Sequence, residues 1–319
     1  MNNMEQKKYS IGIDIGGTGV EYGIVSHDGE VLYSNNLTTA NFPEPEQLVE
    51  TIWKDETIQT HLPDILGVGV GAPNGNYFHG TIEFAPNLKW KGIVPLAQLF
   101  KDRFNLPIFL TNDANAAAIG ERIFGAAKYL NDFVLITLGT GVGSGVVSNG
   151  QLIYGHDGFA GEYGHIRVIP NGRLCGCGRF GCLETYASST GVVRSIKELD
   201  SEAKEKSPLL KMDHPSAKDV FDLADEGDLF ASEIVDYTAF ILGSALADFA
   251  CFSSPKAYVL FGGIAQHSGD FFDKVKSHLE ANVLKIYQNK IDVIQSQLHD
   301  QNAAVLGGAS LVFSELHRV

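Results

Sequence analysis

A ten-residue stretch that occurs twice in the 319-residue chain constrains its fold more than any other feature. Residues 17–26 read GTGVEYGIVS and residues 139–148 read GTGVGSGVVS, so seven of the ten positions are identical. In each copy an apolar strand turns on glycines and leaves as a second strand. Two Gly- and Val-rich hairpins can match by chance, but the repeat is more typical of two related domains. If the two copies face one another, a cleft with a glycine turn on each wall separates the domains.

Strand-like and helix-like segments alternate along the chain. The stretches 9–17, 65–73 and 133–141 are predicted strands that run into glycine-rich turns, and 45–58 and 113–127 are predicted helices. Further strands and helices follow in the second half. This alternation indicates an α/β fold.

Charge and hydropathy exclude several classes of protein. The net charge of −14 argues against a nucleic-acid-binding surface, which requires clustered Lys and Arg. No uncharged apolar run reaches the length of about 18 residues that a membrane span needs. Residues 1–17 lack the apolar stretch of a signal peptide, so we expect a cytoplasmic protein without structural disulfides.

The glycine turns are candidate phosphate-binding sites because glycine lets backbone N–H groups point together toward an anion. The first turn, DIGGT, adds Asp14 and Thr18, and the second, LGTG, adds Thr140 but has Ile136 in the position of Asp14. Only the first turn could therefore help to hold Mg²⁺. Each turn alone could equally be a tight hairpin without a ligand. A P-loop motif is absent, and LGTG continues as a strand instead of opening a helix as a dinucleotide-binding loop does.

Asn112 and Asp113 stand where the apolar strand 107–110 gives way to a helix. Loops at the carboxyl ends of strands commonly carry the chemistry of α/β proteins. An Asp at a helix N-cap, however, needs no other function. Position alone leaves both interpretations of Asp113 open.

Three of the four cysteines, Cys175, Cys177 and Cys182, lie within the eight residues CGCGRFGC. A disulfide knot, a redox switch and a metal site each predict such crowding. The expected compartment disfavours a disulfide, and the spacing is not the CxxC of thioredoxin-type proteins.

These motifs together resemble the ROK family (repressors, open reading frames and sugar kinases). GIDIGGT, NDANAAAIGE, LGTGVGSG, GEYGH at 161–165 and CGCGRFGCLETYAS occur in the family's order over nearly the whole chain. The resemblance implies a two-domain actin-like, hexokinase-like (ribonuclease H-like) α/β fold with a cleft between the domains. It places residues 1–116 and 301–319 in a small domain and 117–300 in a larger domain with a zinc-binding loop. It also implies a homodimer.

The resemblance also implies ATP as the phosphoryl donor, with Mg²⁺, and a sugar hydroxyl as the acceptor. Asp113 matches the general base that takes the proton of the attacking hydroxyl. Positions that match the sugar-binding set are Gly71, Asn112, Asp113, Glu162, His165 and Glu184. Positions that match the ATP-binding turns are Asp14, Gly16, Gly17, Thr18, Gly139, Thr140, Gly141, Gly262 and Gly263. Taken singly, Glu162 would be an ordinary surface ion pair and Glu184 an exposed residue of a first helical turn.

Two departures from the family pattern affect the phosphate and sugar turns. Many members have Lys near the first phosphate turn, where this chain has Gly19 and Glu21. The sugar turn reads PNG, so Asn74 either adds a polar group beside the sugar or serves the turn.

The cysteines need one more ligand to complete a tetrahedral zinc site, and His165 of the GEYGH motif supplies it. The expected ligands are His165, Cys175, Cys177 and Cys182. A site closed by four protein ligands has no position for a reacting water, so a structural Zn²⁺ is expected.

The stretch GCLETYAS and the residues after it look most like the family's glucokinases. Kinases of N-acetylmannosamine, N-acetylglucosamine, mannose and fructose share the core residues and remain alternatives, as does a non-catalytic sugar-sensing protein. The family's DNA-binding repressors carry an additional N-terminal helix-turn-helix domain, and too few residues precede Asp14 for one.

Overall fold

The computed structural model describes residues 8–266, 270–298 and 302–316 and has the expected mixed α/β architecture. The described residues do not include 1–7, 267–269, 299–301 and 317–319. Two predictions therefore lie partly outside them: the absence of a signal peptide and the limits of both domains. The strands are β1 (Tyr9–Ile15), β2 (Gly19–Ser26), β3 (Val31–Thr38), β4 (Ile65–Gly71), β5 (Gly75–Asn76), β6 (Thr81–Glu83), β7 (Ile93–Val94), β8 (Ile108–Thr111), β9 (Phe133–Leu138), β10 (Val142–Ser148), β11 (Gln151–Leu152), β12 (Ala257–Phe261) and β13 (Asp292–Gln295). The helices are α1 (Pro45–Trp53), α2 (Glu56–His61), α3 (Leu96–Phe104), α4 (Asp113–Phe124), α5 (Glu184–Ala187), α6 (Ser189–Glu198), α7 (Ala217–Asp225), α8 (Leu229–Ser253), α9 (Gly263–Gln266), α10 (Phe271–Asn282) and α11 (Ala303–Leu316).

Two compact units make up the chain. The first contains residues 1–129, 152–160 and 297–319, and the second contains residues 130–151 and 161–296. This grouping differs from the limits expected from the sequence at 117–129, 152–160 and 297–300, and those limits stay a prediction.

The main sheets of the two units have the same plan. In the first, the strand order is β3-β2-β1-β4-β8, with β1 antiparallel to β2 and parallel to β4. In the second, the order is β11-β10-β9-β12-β13, with β9 antiparallel to β10 and parallel to β12. The repeated GTGV stretch occupies the same hairpin in each sheet. The prediction that each repeat is a glycine hairpin within an α/β unit is therefore confirmed.

Helix α11, near the end of the chain, packs directly on the sheet of the first unit. Glycines remove the side chains that would keep the helix away from the sheet. A Cβ atom on Gly12 of β1 would lie 1.9 Å from the carbonyl oxygen of Val305, and one on Gly69 of β4 would lie 2.0 Å from that of Gly308. The sheet thus requires glycine at both positions to bring α11 into contact.

The helix expected over 45–58 is in fact two helices, α1 and α2, and the chain breaks at Asp55. The Asp55 carboxylate caps α2 by accepting hydrogen bonds from the N–H groups of Thr57 (2.9 Å) and Ile58 (3.2 Å). It also accepts hydrogen bonds from the hydroxyl groups of Tyr22 (2.7 Å) and Tyr33 (2.5 Å), which lie in the sheet. These tyrosines come from distant positions in the chain, which is why the local pattern did not reveal the break.

Helix α8 forms the centre of the second unit. By length and composition it is the one helix among the described residues that could span a membrane. Within its apolar 18-residue segment, however, 67% is buried inside the protein. Its buried residues, such as Ile234 and Leu246, belong to the same core as Val134 of β9 and Tyr258 of β12. Packing inside the unit accounts for its apolar character.

Candidate active site

In the first unit, the carboxyl ends of three neighbouring parallel strands bring together several of the expected site residues. Asp14 at the end of β1 pairs with Gly71 at the end of β4, and Gly71 pairs with Thr111 at the end of β8. A Cβ atom on Gly71 would lie 3.2 Å from Oδ1 of Asp14 and 3.5 Å from Cα of Asp113. Gly71 therefore leaves room for the Asp14 carboxylate beside the backbone of Asp113.

Asn112, and not Asp113, caps helix α4. Its Oδ1 accepts hydrogen bonds from the N–H groups of Ala114 (2.8 Å) and Asn115 (3.4 Å). Asp113 is the first residue of the helix, is exposed to solvent, and accepts the Ala114 N–H through Oδ1 at 2.8 Å. Its second oxygen has no hydrogen bond to any described residue. The capping interpretation of Asp113 is therefore wrong, and this carboxylate oxygen is available for a ligand.

The surroundings of Asp14 and Asp113 raise the pKa of both carboxyl groups. Burial, the negative charge of Asp113 and that of Glu21 together raise the pKa of Asp14 to about 7. Although Asp113 is exposed at the surface, the protein atoms around its carboxylate displace part of its hydration and raise its pKa, and the N–H of Ala114 offsets part of this effect. Such a cluster of oxygen ligands favours a divalent cation, which would relieve the repulsion between the carboxylates.

The first glycine turn is held by Thr39, a residue that the sequence did not single out. Its hydroxyl donates to the carbonyl of Gly16 (2.7 Å), and its N–H donates to the carbonyl of Thr18 (3.1 Å). Gly17 has no room for a side chain because a Cβ atom would lie 3.0 Å from Cβ of Asn87. The turn itself is exposed, so its backbone N–H groups can meet a ligand.

The second glycine turn, in the second unit, is held by the start of helix α6. Ser189 donates to the carbonyl of Gly139 through its N–H (2.8 Å) and its hydroxyl (2.9 Å). The hydroxyl of Thr190 donates to the carbonyl of Thr140 (2.9 Å). Polar residues at the start of a helix, here the SST of YASST, are the signal by which this support could have been expected.

Gly262 lies beside this turn, at the carboxyl end of the neighbouring parallel strand β12. Its φ of 105° is in the region that favours glycine, and a Cβ atom there would lie 2.7 Å from the carbonyl of Leu138. Gly263 begins helix α9, and a Cβ atom on it would meet nothing within 4 Å. The two turns expected to hold ATP on this side thus lie at the ends of adjacent strands.

Val142, the first residue of β10, contacts the two segments that carry Glu162, His165 and Glu184. The N–H of Val142 donates to Oε2 of Glu184 (3.3 Å), and Gly164 packs so tightly that a Cβ atom would lie 1.9 Å from the carbonyl of Val142. The tight turn that contains Gly164 begins at Glu162 and ends at His165. Within the second unit, the Glu184 carboxylate and the backbone turn that carries Glu162 and His165 therefore both contact the strand that follows the second glycine turn.

The ligand atoms of His165, Cys175, Cys177 and Cys182 lie within 4.8 Å of one another. Sγ of Cys175 is 3.6 Å from Nδ1 of His165, and the sulfurs of Cys177 and Cys182 are 3.7 Å apart. Two sulfurs that each lie about 2.3 Å from a tetrahedral zinc ion are about 3.8 Å apart. All four cysteines of the chain are free thiols, so the donor set and its spacing fit zinc.

Arg179 favours the thiolate form of Cys177. Burial alone would raise the pKa of this thiol, but hydrogen bonds from Arg179 and the other two cysteines lower it to about 6. Arg179 also donates to the carbonyl of His165 (2.6 Å), so it joins the two segments that provide the ligands. Because metals bind the thiolate, this arginine prepares the cluster for an ion.

The chain is similar over nearly its full length to known proteins of one family. The ROK family model matches residues 10–315. A glucokinase of Halalkalibacterium halodurans is 37% identical over 96% of this chain and 95% of its own length, and a xylose repressor of Bacillus spizizenii is 31% identical over 95% of this chain and 77% of its own. The crystal structure of a ROK family glucokinase from Streptomyces griseus in complex with glucose and AMPPNP has a TM-score of 0.79 at 33% identity, covering 96% of this chain and 99% of that one.

Proposed function

The chain belongs to the ROK family, and we propose that it is an ATP-dependent hexose kinase that converts glucose to glucose 6-phosphate. Its fold is the two-domain actin-like α/β fold of the family's sugar kinases. The observation that carries the proposal is the Asp113 carboxylate, which Asn112 relieves of helix capping and which stands at the carboxyl end of β8. The similarity to glucokinases over nearly the full chain supports glucose as the acceptor.

Asp113 acts in this mechanism as the general base. Its carboxylate accepts the proton of the glucose 6-hydroxyl while that oxygen forms a bond to the γ-phosphorus of ATP and the bond to ADP breaks. Asn112 contributes the NH₂ of its side chain, since its oxygen is committed to the helix cap. Glu162, His165 and Glu184 hold sugar hydroxyls, each of which a carboxylate or imidazole can bind in one direction.

The two glycine turns bind the phosphates of ATP through backbone N–H groups, at residues 16–18 in the first unit and 139–141 in the second, with Gly262 and Gly263 on the adenosine side. Asp14 and its neighbouring carboxylates would hold Mg²⁺, directly or through water. The cation supplies charge neutralisation for the phosphates. This role fits the raised pKa of Asp14, because a cation would replace the proton that the carboxylates favour.

Zinc has a structural role in this proposal. His165 faces the cysteines through Nδ1, so its Nε2 is left for another partner. A metal on one ring nitrogen fixes the direction of the other. The ion would thus orient His165 toward the sugar, and it would hold the loop that precedes Glu184.

The decisive experiment measures ADP release with glucose for the wild type and for Asp113→Ala. The wild type should turn over, and the variant should lose at least about 100-fold in kcat because the general base is absent. Glucose binding by calorimetry should persist in the variant. Asp28→Ala, which changes a fully exposed carboxylate of the same unit, is the matched control and should behave as wild type. Substantial turnover by Asp113→Ala would exclude the proposed role.

Other acceptors and a sugar-sensing function are the alternatives. Mannose, fructose, N-acetylglucosamine and N-acetylmannosamine belong in the same ADP-release assay, and a higher kcat/KM for one of them would replace glucose. The xylose repressor relative extends beyond the region matched here, since this chain covers 77% of it. Sugar binding without any ADP release would favour the sensor. The net charge of −14 disfavours DNA binding.

We also propose a homodimer in the cytoplasm. The second unit exposes large apolar side chains on α8 and after α10, among them Phe240 (46% exposed), Phe252 (80%) and Ile286 (62%). Exposed apolar groups of this size favour a protein partner, here a second copy that binds through the second unit. The mass in solution from light scattering tests this proposal, and free cysteine thiols agree with a reducing compartment.

A further inference from the structure

Arg173 lies two residues before the cysteine loop (residues 175–182) and is a buried cation that none of the roles above uses. Its side chain is 7% exposed, and its guanidinium carbon lies 4.5 Å from the centre of the Tyr186 ring. The guanidinium donates four hydrogen bonds, to the carbonyl oxygens of Thr185 (2.7 Å) and Gly191 (3.0 Å), to Oγ of Ser195 (2.9 Å) and to the carboxylate of Glu198 (2.7 Å). All four acceptors lie on α5 and α6.

The same two helices carry the supports of the candidate site. Glu184 begins α5 and accepts the N–H of Val142 beside the second glycine turn (3.3 Å). Ser189 and Thr190 begin α6 and bind the carbonyl oxygens of Gly139 and Thr140. The junction of α5 and α6 therefore sets the distance between a sugar-side carboxylate and a phosphate-binding turn.

The backbone of Arg173 is held between helix α5 and the cysteine loop. Its N–H donates to the hydroxyl of Tyr186 (2.8 Å), and its carbonyl accepts the N–H of Gly181 (2.7 Å). One residue thus connects the loop that provides the cysteine ligands to the helices that support both sides of the site.

We propose that Arg173 is a positioning residue, which fixes the α5–α6 junction so that Glu184 and the second glycine turn keep the spacing that phosphoryl transfer requires. This inference rests on the kinase function proposed above. A buried guanidinium contributes little net stability compared with apolar packing, so its four directed bonds favour a role in geometry. Lysine cannot replace it, because a single ammonium group lacks the planar fork of donors.

The test compares Arg173→Lys with Arg194→Lys, which makes the same change at the other arginine paired with Glu198. Arg194 is 40% exposed and contacts neither α5 nor the glycine turn through the hydrogen bonds that the structure describes. Arg173→Lys should raise KM for both glucose and ATP and lower kcat/KM about 10- to 100-fold, as expected for displaced binding groups. Arg194→Lys should stay within about twofold of wild type. Zinc content should remain that of wild type in both.

The change in KM separates positioning from a general loss of folded protein, because a smaller active fraction lowers kcat and leaves KM unchanged. Wild-type KM values in Arg173→Lys would overturn the proposal. If this variant does not fold, Ser195→Ala decides, since it removes one buried acceptor of the guanidinium and should raise both KM values less strongly; unchanged values would again overturn the proposal. A wild-type protein without kinase activity would refute the proposed function instead. Calorimetric binding of AMPPNP, weakened in Arg173→Lys, would then still test the role of Arg173.

Discussion

The carboxylate of Asp113 does not cap helix α4, because the preceding residue, Asn112, does so. Asn112 supplies the cap of α4, and one oxygen of Asp113 has no hydrogen bond to any described residue. The sequence placed both residues at the strand end but could not assign the cap. The N-cap and the first helical position are adjacent in the chain, and both Asn and Asp are good caps, so the sequence does not show which of the two residues is the cap.

The raised pKa of Asp113 predicts an acidic limit to catalysis. Burial favours its protonated form, and a protonated carboxyl cannot accept the proton of the sugar. Activity should therefore be complete at high pH and should fall as the pH decreases through a value above the ordinary 3.8 of Asp. Initial rates as a function of pH give kcat/KM and check this. A limit at or below pH 3.8 would contradict the prediction.

Gly141 has no space for a side chain because of Glu184. A Cβ atom there would lie 2.3 Å from Oε2 of Glu184, a distance at which the carboxylate must move. Gly141→Ala should raise KM for glucose and ATP about 10-fold by displacing the carboxylate and the turn together. Gly139→Ala is the comparison, since its Cβ atom would meet nothing within 4 Å. An equal effect in both variants would show that the contact with Glu184 is irrelevant.

At the scale of elements, the cysteine loop is a short segment that glycines allow to turn sharply. Gly178 and Gly181 have φ values of 84° and 80°, and a Cβ atom on Gly181 would lie 1.7 Å from the carbonyl of Ile169. With so few residues and so little regular structure, the loop depends on its ligands for its shape.

Cys177→Ser should therefore lower both zinc content and glucose affinity. Serine is a poor zinc ligand, and the loss of the ion would free His165 and the segment before Glu184, with an expected loss of about 10-fold in affinity. Metal analysis and calorimetry measure the two effects. Cys251→Ser, on helix α8 outside the cluster, should change neither. Zinc at the wild-type ratio in Cys177→Ser would refute the assignment.

The parts of the site that the sequence could not reveal are contacts between distant segments. The convergence on Val142 joins β10, the turn at Gly164 and the start of α5, and no local pattern connects them. Thr39 and Arg173 were missed for the same reason, because each acts on residues more than ten positions away. The break at Asp55 likewise depends on two tyrosines of the sheet.

At the scale of the whole molecule, the repeat predicted much of the architecture. A matching hairpin implied a matching sheet, and both units do place the hairpin beside parallel strands. The same repeat shows where the units diverged. Asp14 pairs with Glu21 in the first hairpin, whereas Ile136 pairs with Ser144 in the second, so of these two strand pairs only the first offers carboxylates for a cation.

The packing of α11 on the first sheet bears on how the protein is made. Synthesis proceeds from the N-terminus, so β1 and β4 leave the ribosome long before the helix that covers Gly12 and Gly69. The second unit lies almost wholly between them in the chain and has its own core. The second unit can therefore fold first. Until α11 is synthesised, the sheet of the first unit still exposes the face that contains Gly12 and Gly69. The unit whose strands are synthesised first is thus the unit whose fold is completed last.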